Sequence, residues 1–341
     1  MNNSVTAKKT MSTFVPPKPL NTAVLFLVFN RINTTKQVLS AISDAKPPRL
    51  YIAGDGAHSF NEKECKKVQE VRDYIMQNIN WKCEVKTLFR EKNLGCKYAV
   101  TRAISWFFDN EKKGIILEDD CLPSQSFFWY CEELLEKYED DKTVYLVSGE
   151  THDSKFLNTG EDYAFCKYPL LWGWASWKRA WKYYDPEMHD WPKEKEKILS
   201  SISKYKYTTN FWRTNFERMY NKEIDTWDYQ LFYHLQKNNG KCIFPRLNLV
   251  SNIGFGIDAT RTTNLESEAA NRKRYEINLP LNHLIKSKSE ERANKFYDLN
   301  EFTLKPSFFH FLNRITFKFL KKILGSKKTY LLRSYIKDKL H

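Results

Sequence analysis

The chain has 341 residues, of which 42% are hydrophobic and 15% aromatic, which is enough for a sizeable core in one large domain or a domain with appendages. The formal net charge of +14 favours anionic partners: nucleotide phosphates, nucleic acid or an anionic membrane surface. The seven cysteines form no CxxC pair and no zinc-type spacing, which argues against a disulfide framework and fits a reducing compartment.

The N-terminal segment shows no recognisable signal peptide. The first apolar run, 23–29, is too short to span a bilayer. Residues 1–20 are polar with a proline-rich end, and they are predicted to form a flexible tail.

The first half of the chain alternates short apolar runs with amphipathic segments. Strands are predicted at 24–29, 49–53, 83–89 and 114–117. Helices are predicted at 34–45, 62–77, 95–108 and from about 127 to 138. This alternation is typical of an α/β fold with a doubly wound, mostly parallel sheet flanked by helices.

The second half has a weaker pattern. A strand is predicted at 144–148 and a short one at 242–245, with helices at about 194–220 and 227–237. The Trp-rich stretch 168–185 receives no assignment. Residues 248–264 are predicted to be a loop, residues 265–300 are polar and charged, and a basic, aromatic segment runs from 306 to 341.

Three consecutive acids follow the fourth strand: Glu118, Asp119 and Asp120. Carboxylates at the end of a buried strand repel one another, and burial makes their charge costlier. A divalent cation with oxygen ligands would offset that cost at the sheet edge where α/β proteins bind ligands. The alternative is an acidic cap on the following helix.

Polar residues also follow the first two strands. Asn30 and Arg31 come directly after the first, and Asp55 comes after the second, between two glycines. A nucleotide lying across this edge would use Asp55 as an acceptor for a base N–H, with Arg31 beside the base or phosphate. The alternative is ordinary turn chemistry, because these residues suit turns. In such a turn, loss of the Asp55 side chain is expected to spare the fold.

Asn93 and Lys97 lie at the start of the third helix, where backbone N–H groups favour anions. The alternative is an Asn93 N-cap beside a solvated lysine. The sequence has no GxGxxG fingerprint and no GxxxxGK[ST] loop, so neither a dinucleotide fold nor a P-loop is supported.

Two further motifs suit a sugar-processing site. Trp172, Gly173 and Trp174 would wall a sugar cleft or pack in the core. Asp225 and Asp228 lie near a helix start, where either would serve as a general base or as an N-cap.

These motifs, in this order, resemble those of inverting GT-A glycosyltransferases. The resemblance runs from about residue 23 to 256 and rests on LFLVFNR, YIAGDGAH, GIILEDDCLPSQSFFWYCEELLEKY, LLWGWASWKRAW, DTWDYQLF and SNIGFG. It is nearest to the nucleotide-diphospho-sugar transferase (hemolytic-protein-like) group of bacterial surface-glycan loci. A more distant similarity is to the animal N-acetylglucosaminyltransferase I group.

The resemblance implies a GT-A fold and roles for individual residues. Arg31 and Asp55 would hold the nucleotide, Glu118 and Asp119 would touch ribose and nearby groups, and Asp120 would coordinate Mn²⁺ or Mg²⁺. Asp228 would be the base and Asp225 its competitor, because only Trp227-Asp228 matches the Trp-Asp-Asp-Trp run of the animal enzymes. The implied donor site comprises Asn30, Arg31, Asp55, Asn93, Lys97, Glu118 and Asp119.

The implied reaction moves a hexose or N-acetylhexosamine from a nucleotide-diphosphate sugar, such as a UDP-sugar, to a hydroxyl of a surface-polysaccharide or lipid-linked glycan. Residues 21–150 would bind the donor, and 151–300 would bind the acceptor and carry the base. The alternatives are a non-catalytic nucleotide- or carbohydrate-binding protein and a sugar nucleotidyltransferase. The latter normally has a Gly-rich loop that FLVFNRINTT lacks.

The segment 301–341 is predicted to form a basic, amphipathic helical tail on an anionic membrane surface. This would place the protein in the cytoplasm, peripheral to the inner face of the plasma membrane. No other feature supports nucleic-acid binding, and the structural alternative is a helix packed on the domain.

Overall fold

A buried, mixed sheet of eight strands organises the part of the chain that the structure, a computed structural model, describes: residues 14–58, 61–152, 160–255, 272–283 and 288–303. Its strands, in chain order, are β1 (Val24–Val28), β2 (Arg49–Gly54), β3 (Glu84–Phe89), β4 (Lys113–Glu118), β6 (Val144–Ser148), β7 (Tyr163–Cys166), β8 (Trp174–Trp177) and β9 (Lys241–Pro245). The short strands β5 (Cys121–Pro123) and β10 (Val250–Asn252) pair separately with each other.

Helices cover both faces of the sheet. They are α1 (Ile32–Ala45), α2 (Glu62–Gln77), α3 (Gly95–Asn110), α4 (Ser126–Lys137), α5 (Lys178–Trp181), α6 (Trp191–Ile202), α7 (Lys206–Tyr220), α8 (Asp228–Lys237) and α9 (Ser289–Asn300). Side chains of β1 alternate between two apolar clusters, with Leu25 and Leu27 in one and Val24, Phe26 and Val28 in the other. Such double burial explains why this strand is a continuous apolar run.

The strand order is β3-β2-β1-β4-β8-β6-β9-β7. The first four strands are mutually parallel, as predicted, and β8 is antiparallel to both β4 and β6. Because two antiparallel steps restore direction, β6 runs parallel to β4. The carboxyl ends of β1, β2, β4 and β6 therefore meet at one edge of the sheet, and the predicted mostly parallel α/β architecture is confirmed.

The second half differs from the sequence-based prediction. The single helix predicted at 194–220 is two helices, α6 and α7. They are separated at Ser203, whose extended backbone ends α6 and whose hydroxyl donates to Asp298 at 2.9 Å. The strands β5, β7, β8 and β10 and the helix α9 were not predicted, because each is short or depends on partners distant in sequence.

The predicted flexible tail 1–20 is wrong for residues 14–20. The Phe14 ring lies 5.4 Å from that of Trp129 on α4, and the Trp129 indole N–H donates to the carbonyl of Lys18 at 2.7 Å. Leu20 is buried. Residues 1–13, Gly256 and 304–341 lie outside the described residues. Of the predicted C-terminal tail 301–341, only 301–303 are described, and there Glu301 Oε2 lies 3.2 Å from His152 Nδ1.

Candidate active site

Arg31 holds two of the three acids that follow β4. Its guanidinium donates to Asp120 Oδ2 at 2.9 Å and to Asp119 Oδ1, and the backbone N–H of Phe29 donates to Asp119 Oδ2 at 3.3 Å. The first turn of α4 contains no acidic residue, so the three acids do not cap that helix. The ends of β1 and β4 thus form one charged cluster at the sheet edge.

Burial dominates the electrostatics of this cluster. Burial and the charges of Asp120 and Asp119 raise the pKa of Glu118 above its ordinary value. Burial also raises the pKa of Asp119, although Arg31 opposes this. Burial alone would lower the pKa of Arg31, but the two aspartates more than offset it and the pKa is raised. Because one guanidinium faces three acidic side chains, a further positive charge would be stabilised at this cluster.

The segment after β10 closes over this cluster. Ile253 donates its backbone N–H to the carbonyl of Asp120 at 2.8 Å. A Cβ on Gly254 would lie 2.2 Å from Asp120 Oδ2 and 2.8 Å from Arg31 Nη1. Only glycine therefore lets the backbone approach the acids this closely.

Asp228 follows a tryptophan that stacks on the sheet. Trp174 on β8 pairs across the sheet with Ile116 of β4, and its ring stacks on that of Trp227 with centroids 5.8 Å apart. Asp228, the next residue, begins α8, and its charge is among those that raise the pKa of Glu118, after burial and the two aspartates. Its Oδ1 accepts a hydrogen bond from the Thr226 hydroxyl.

Asp225, the competing base, lies instead at the start of α3. It accepts hydrogen bonds from the backbone N–H groups of Cys96 at 2.7 Å and Lys97 at 2.9 Å. A carboxylate that pairs the free N–H groups of a helix start is a cap. Asp225 therefore caps α3, whereas the charge of Asp228 is among those that raise the pKa of Glu118.

Three residues predicted to bind the donor lie in the same structural network as Asp225. Asp55 accepts the backbone N–H of Leu94 at 2.9 Å, and Asn93 donates to the carbonyl of Gly56 at 2.8 Å. Lys97 is not a free clamp: its buried ammonium pairs with Glu187 at 2.7 Å. Together these contacts lock the end of β2 to α3. Asn30 donates to Glu64 of α2 at 3.2 Å.

Replacing Asp55 with alanine is expected to destabilise the protein, contrary to the sequence-based expectation that the fold would be spared. The change leaves the partly buried N–H of Leu94 without its acceptor, which costs about 1 kcal/mol. Thermal unfolding without nucleotide measures the effect. Asp55→Asn, which keeps an acceptor oxygen, is the matched control. An unchanged melting temperature together with weaker nucleotide binding would restore the direct-contact interpretation.

The Trp172–Trp174 motif divides between core and surface. Trp174 is 1% exposed and cannot wall an open cleft, so this part of the prediction is wrong. Gly173 has a φ of 66° and a Cβ there would meet Val250 Cγ2 at 2.8 Å, so the bend requires glycine. Trp172 is partly exposed, with its ring 5.9 Å from that of Phe255, and it lines a cavity.

Glu150 and His152 also line this cavity, and neither was predicted from the sequence as a site residue. Asp228 lies at the same cavity, which has a volume of about 220 Å³. Glu150 lies two residues after β6 as Asp120 lies two residues after β4, and the two strands are parallel. A carboxylate after a predicted strand was therefore the available signal.

No protein-family model and no curated protein matches this chain. Among solved structures, HddC from Yersinia pseudotuberculosis matches at 13% identity and a TM-score of 0.26, over 37% of this chain and 56% of its own. The glycosyltransferase GlyE from Streptococcus pneumoniae matches at 12% identity and a TM-score of 0.30, over 65% of this chain and 45% of its own. Mouse xyloside xylosyltransferase 1 matches at 11% identity and a TM-score of 0.31, over 63% of this chain and 81% of its own. The chain thus spans about half the length of the first two, and similarities this distant assign no activity to it.

Proposed function

We propose that this protein is a metal-dependent, inverting glycosyltransferase that moves a sugar from a nucleotide-diphosphate sugar to a glycan hydroxyl. The observation that carries the proposal is the cluster of Arg31, Glu118, Asp119 and Asp120 at the sheet edge, where Arg31 donates to both aspartates. Neither Arg31 nor the acids are needed for packing in the way that the apolar side chains of β1 and β4 are. A ligand site explains their convergence.

The donor set of this cluster suits Mn²⁺ or Mg²⁺. Carboxylate oxygens are hard ligands, and Mg²⁺ is usually bound by one or two carboxylates together with substrate phosphates. No group of three or more His, Cys, Asp and Glu side chains poised for a metal occurs within the described residues, and the proposal does not require one. Asp120 would hold the cation, which when bound would act as a Lewis acid towards the leaving diphosphate.

The protein residues would supply the remaining chemistry. Arg31 would give up part of its hydrogen bonding to Asp119 and Asp120 and contact the nucleotide diphosphate instead. Asp228 would take the proton of the acceptor hydroxyl. At the same time the hydroxyl oxygen bonds to the anomeric carbon, and the bond between that carbon and the diphosphate oxygen breaks. This single displacement inverts the anomeric centre. Asp228 is the first residue of α8.

A screen of nucleotide-sugar consumption tests this proposal. Full-length protein is incubated with UDP-, GDP- and CMP-linked sugars in Mn²⁺, Mg²⁺ or EDTA, and nucleotide release and the anomeric configuration of the product are measured. We expect release of a nucleoside diphosphate that stops on chelation. Binding without release would favour the non-catalytic alternative. Formation of a nucleoside triphosphate and sugar 1-phosphate when pyrophosphate is added would favour the nucleotidyltransferase.

The proposed acceptor is a surface-polysaccharide or lipid-linked glycan, and the sugar moved is a hexose or N-acetylhexosamine. The basic, aromatic 306–341 segment supports a location at the cytoplasmic, anionic face of a membrane. Within the part of the chain that the structure describes, no helix combines the length and apolarity needed to cross a bilayer.

Deleting 306–341 is expected to leave a folded enzyme that acts on a water-soluble acceptor but no longer sediments with anionic vesicles. The full-length chain should bind such vesicles in a salt-sensitive way, because its contact is electrostatic. Neutral phosphatidylcholine vesicles are the control. Loss of folding on deletion would show instead that the segment packs on the domain.

A further inference from the structure

The cavity beside Asp228 lies next to the acid cluster but is separate from it. Of the described residues that line it, none belongs to the Glu118–Asp120 triplet. Its far wall follows β6, two strands away from β4, or about 10 Å by ordinary strand spacing. If the triplet takes the donor diphosphate, whatever occupies this cavity meets Asp228 from the other side.

The walls of the cavity combine flat apolar surface with hydrogen-bond acceptors. Trp172, Tyr229 and Phe302, all partly exposed, supply the rings. Asp228 and Glu150 supply carboxylates, which accept hydrogen bonds and donate none when ionised. A ligand with an apolar ring face and several hydroxyl donors matches this lining.

The volume of the cavity suits one ring. The volume of about 220 Å³ is below the roughly 300–1,000 Å³ of pockets that hold drug-sized molecules. A single pyranose is therefore a better match than a disaccharide or a nucleotide.

Glu150 is held rigidly. Its Oε1 lies 2.8 Å from His152 Nε2 and 3.3 Å from Arg272 Nη1, and its Oε2 accepts the backbone N–H of Trp172 at 3.4 Å. The other ring nitrogen of His152, Nδ1, is 3.2 Å from a carboxylate oxygen of Glu301. Although burial favours the neutral ring, Glu150 and Glu301 raise the pKa of His152 to about 9.

These contacts determine which charge the cavity accepts. Two cations contact Glu150: Arg272, and His152, whose other ring nitrogen faces Glu301. Asp228 adds a third carboxylate, so three acids outnumber two cations around the cavity. An anionic sugar would meet like charge here, which disfavours binding, whereas hydroxyls of an uncharged sugar would find acceptors.

We propose that this cavity binds the terminal ring of the glycan acceptor and that this ring is an uncharged pyranose. One ring hydroxyl faces Asp228, and Glu150 accepts a second. The inference deepens the proposed function, on which it rests for the role of Asp228.

Saturation-transfer NMR on the full-length protein without nucleotide tests this site. The probes are the methyl pyranosides of glucose, galactose, mannose and N-acetylglucosamine, and for comparison those of glucuronate and galacturonate. We expect ring-proton saturation for at least one uncharged glycoside and none for the uronates. This comparison needs no variant.

Two variants test whether the glycoside binds in this cavity. Trp172→Ala and Glu150→Gln should each weaken glycoside binding by roughly tenfold, through lost ring contact and a lost charged acceptor. Trp106→Ala is the matched control: Trp106 is partly buried on α3, with its ring 5.2 Å from that of Tyr51. If Trp172→Ala does not fold, Glu150→Gln decides.

Three results would overturn the inference: no uncharged glycoside binds, the uronates bind equally well, or both variants bind as the unaltered protein does. Failure of the transferase proposal is distinguishable. If glycosides contact Trp172 but no nucleotide sugar is used, the transferase proposal is wrong and the pyranose site stands. If nucleotide sugars are turned over but no glycoside contacts Trp172, only the pyranose site is wrong.

Discussion

Replacing Asp120 with alanine is expected to abolish the Mn²⁺-dependent part of nucleotide-sugar binding. Asp120 is the more exposed of the two aspartates that Arg31 holds, with 14% of its side chain accessible against 3% for Asp119. It is therefore the oxygen donor that a cation bound together with the donor diphosphate would reach. Loss of a direct ligand should exceed the 10–100-fold loss of metal affinity typical of outer-shell changes, so a decrease of at least about 100-fold is expected.

Calorimetric titration of the nucleotide sugar, with and without Mn²⁺, measures this effect. The fold should survive because Arg31 keeps Asp119 as a partner, and thermal unfolding checks this. Asp109→Ala, at an exposed position near the end of α3, controls for the loss of one negative charge. Unchanged Mn²⁺ dependence in Asp120→Ala would show that the metal assignment is wrong.

The parallel half of the sheet was predictable because its strands carry their own signal. Each of β1, β2 and β4 is a short apolar run followed by a turn and an amphipathic helix, so local sequence and fold agree. β8 carries no such signal. Its four residues become a strand only by pairing with both β4 and β6, which lie far from it in sequence.

The candidate site was predictable where charge alone decides and unpredictable where packing decides. Three acids after a strand need a counter-charge in any fold, and Arg31 supplies one. Sequence could not separate Asp225 from Asp228, because both lie near one helix start. A contact between Asp225 and Cys96, which are 129 residues apart, separates them. Likewise, Trp174 reads as a cleft residue until its burial is known.

Replacing Asp228 with asparagine is expected to lower kcat by roughly 10²–10⁴, the range typical of loss of general acid–base catalysis. Asparagine keeps the shape of the side chain and an oxygen that can accept the Thr226 hydroxyl, but it cannot take a proton from the acceptor. Donor affinity should change little, because the nucleotide is held at the Arg31 cluster. Steady-state transfer kinetics and donor titration on the same preparation separate the two quantities.

Asp225→Asn is the informative partner of this variant. Asp225 accepts two backbone N–H groups at the start of α3, and the amide group presents only one acceptor oxygen. We therefore expect a lower melting temperature with near-normal turnover per folded molecule, the reverse of the Asp228→Asn pattern. If Asp228→Asn turns over normally and folded Asp225→Asn does not, the base is Asp225 and the cap must release it. If both variants turn over normally, neither Asp225 nor Asp228 is the proton acceptor, and the start of α8 does not supply the base.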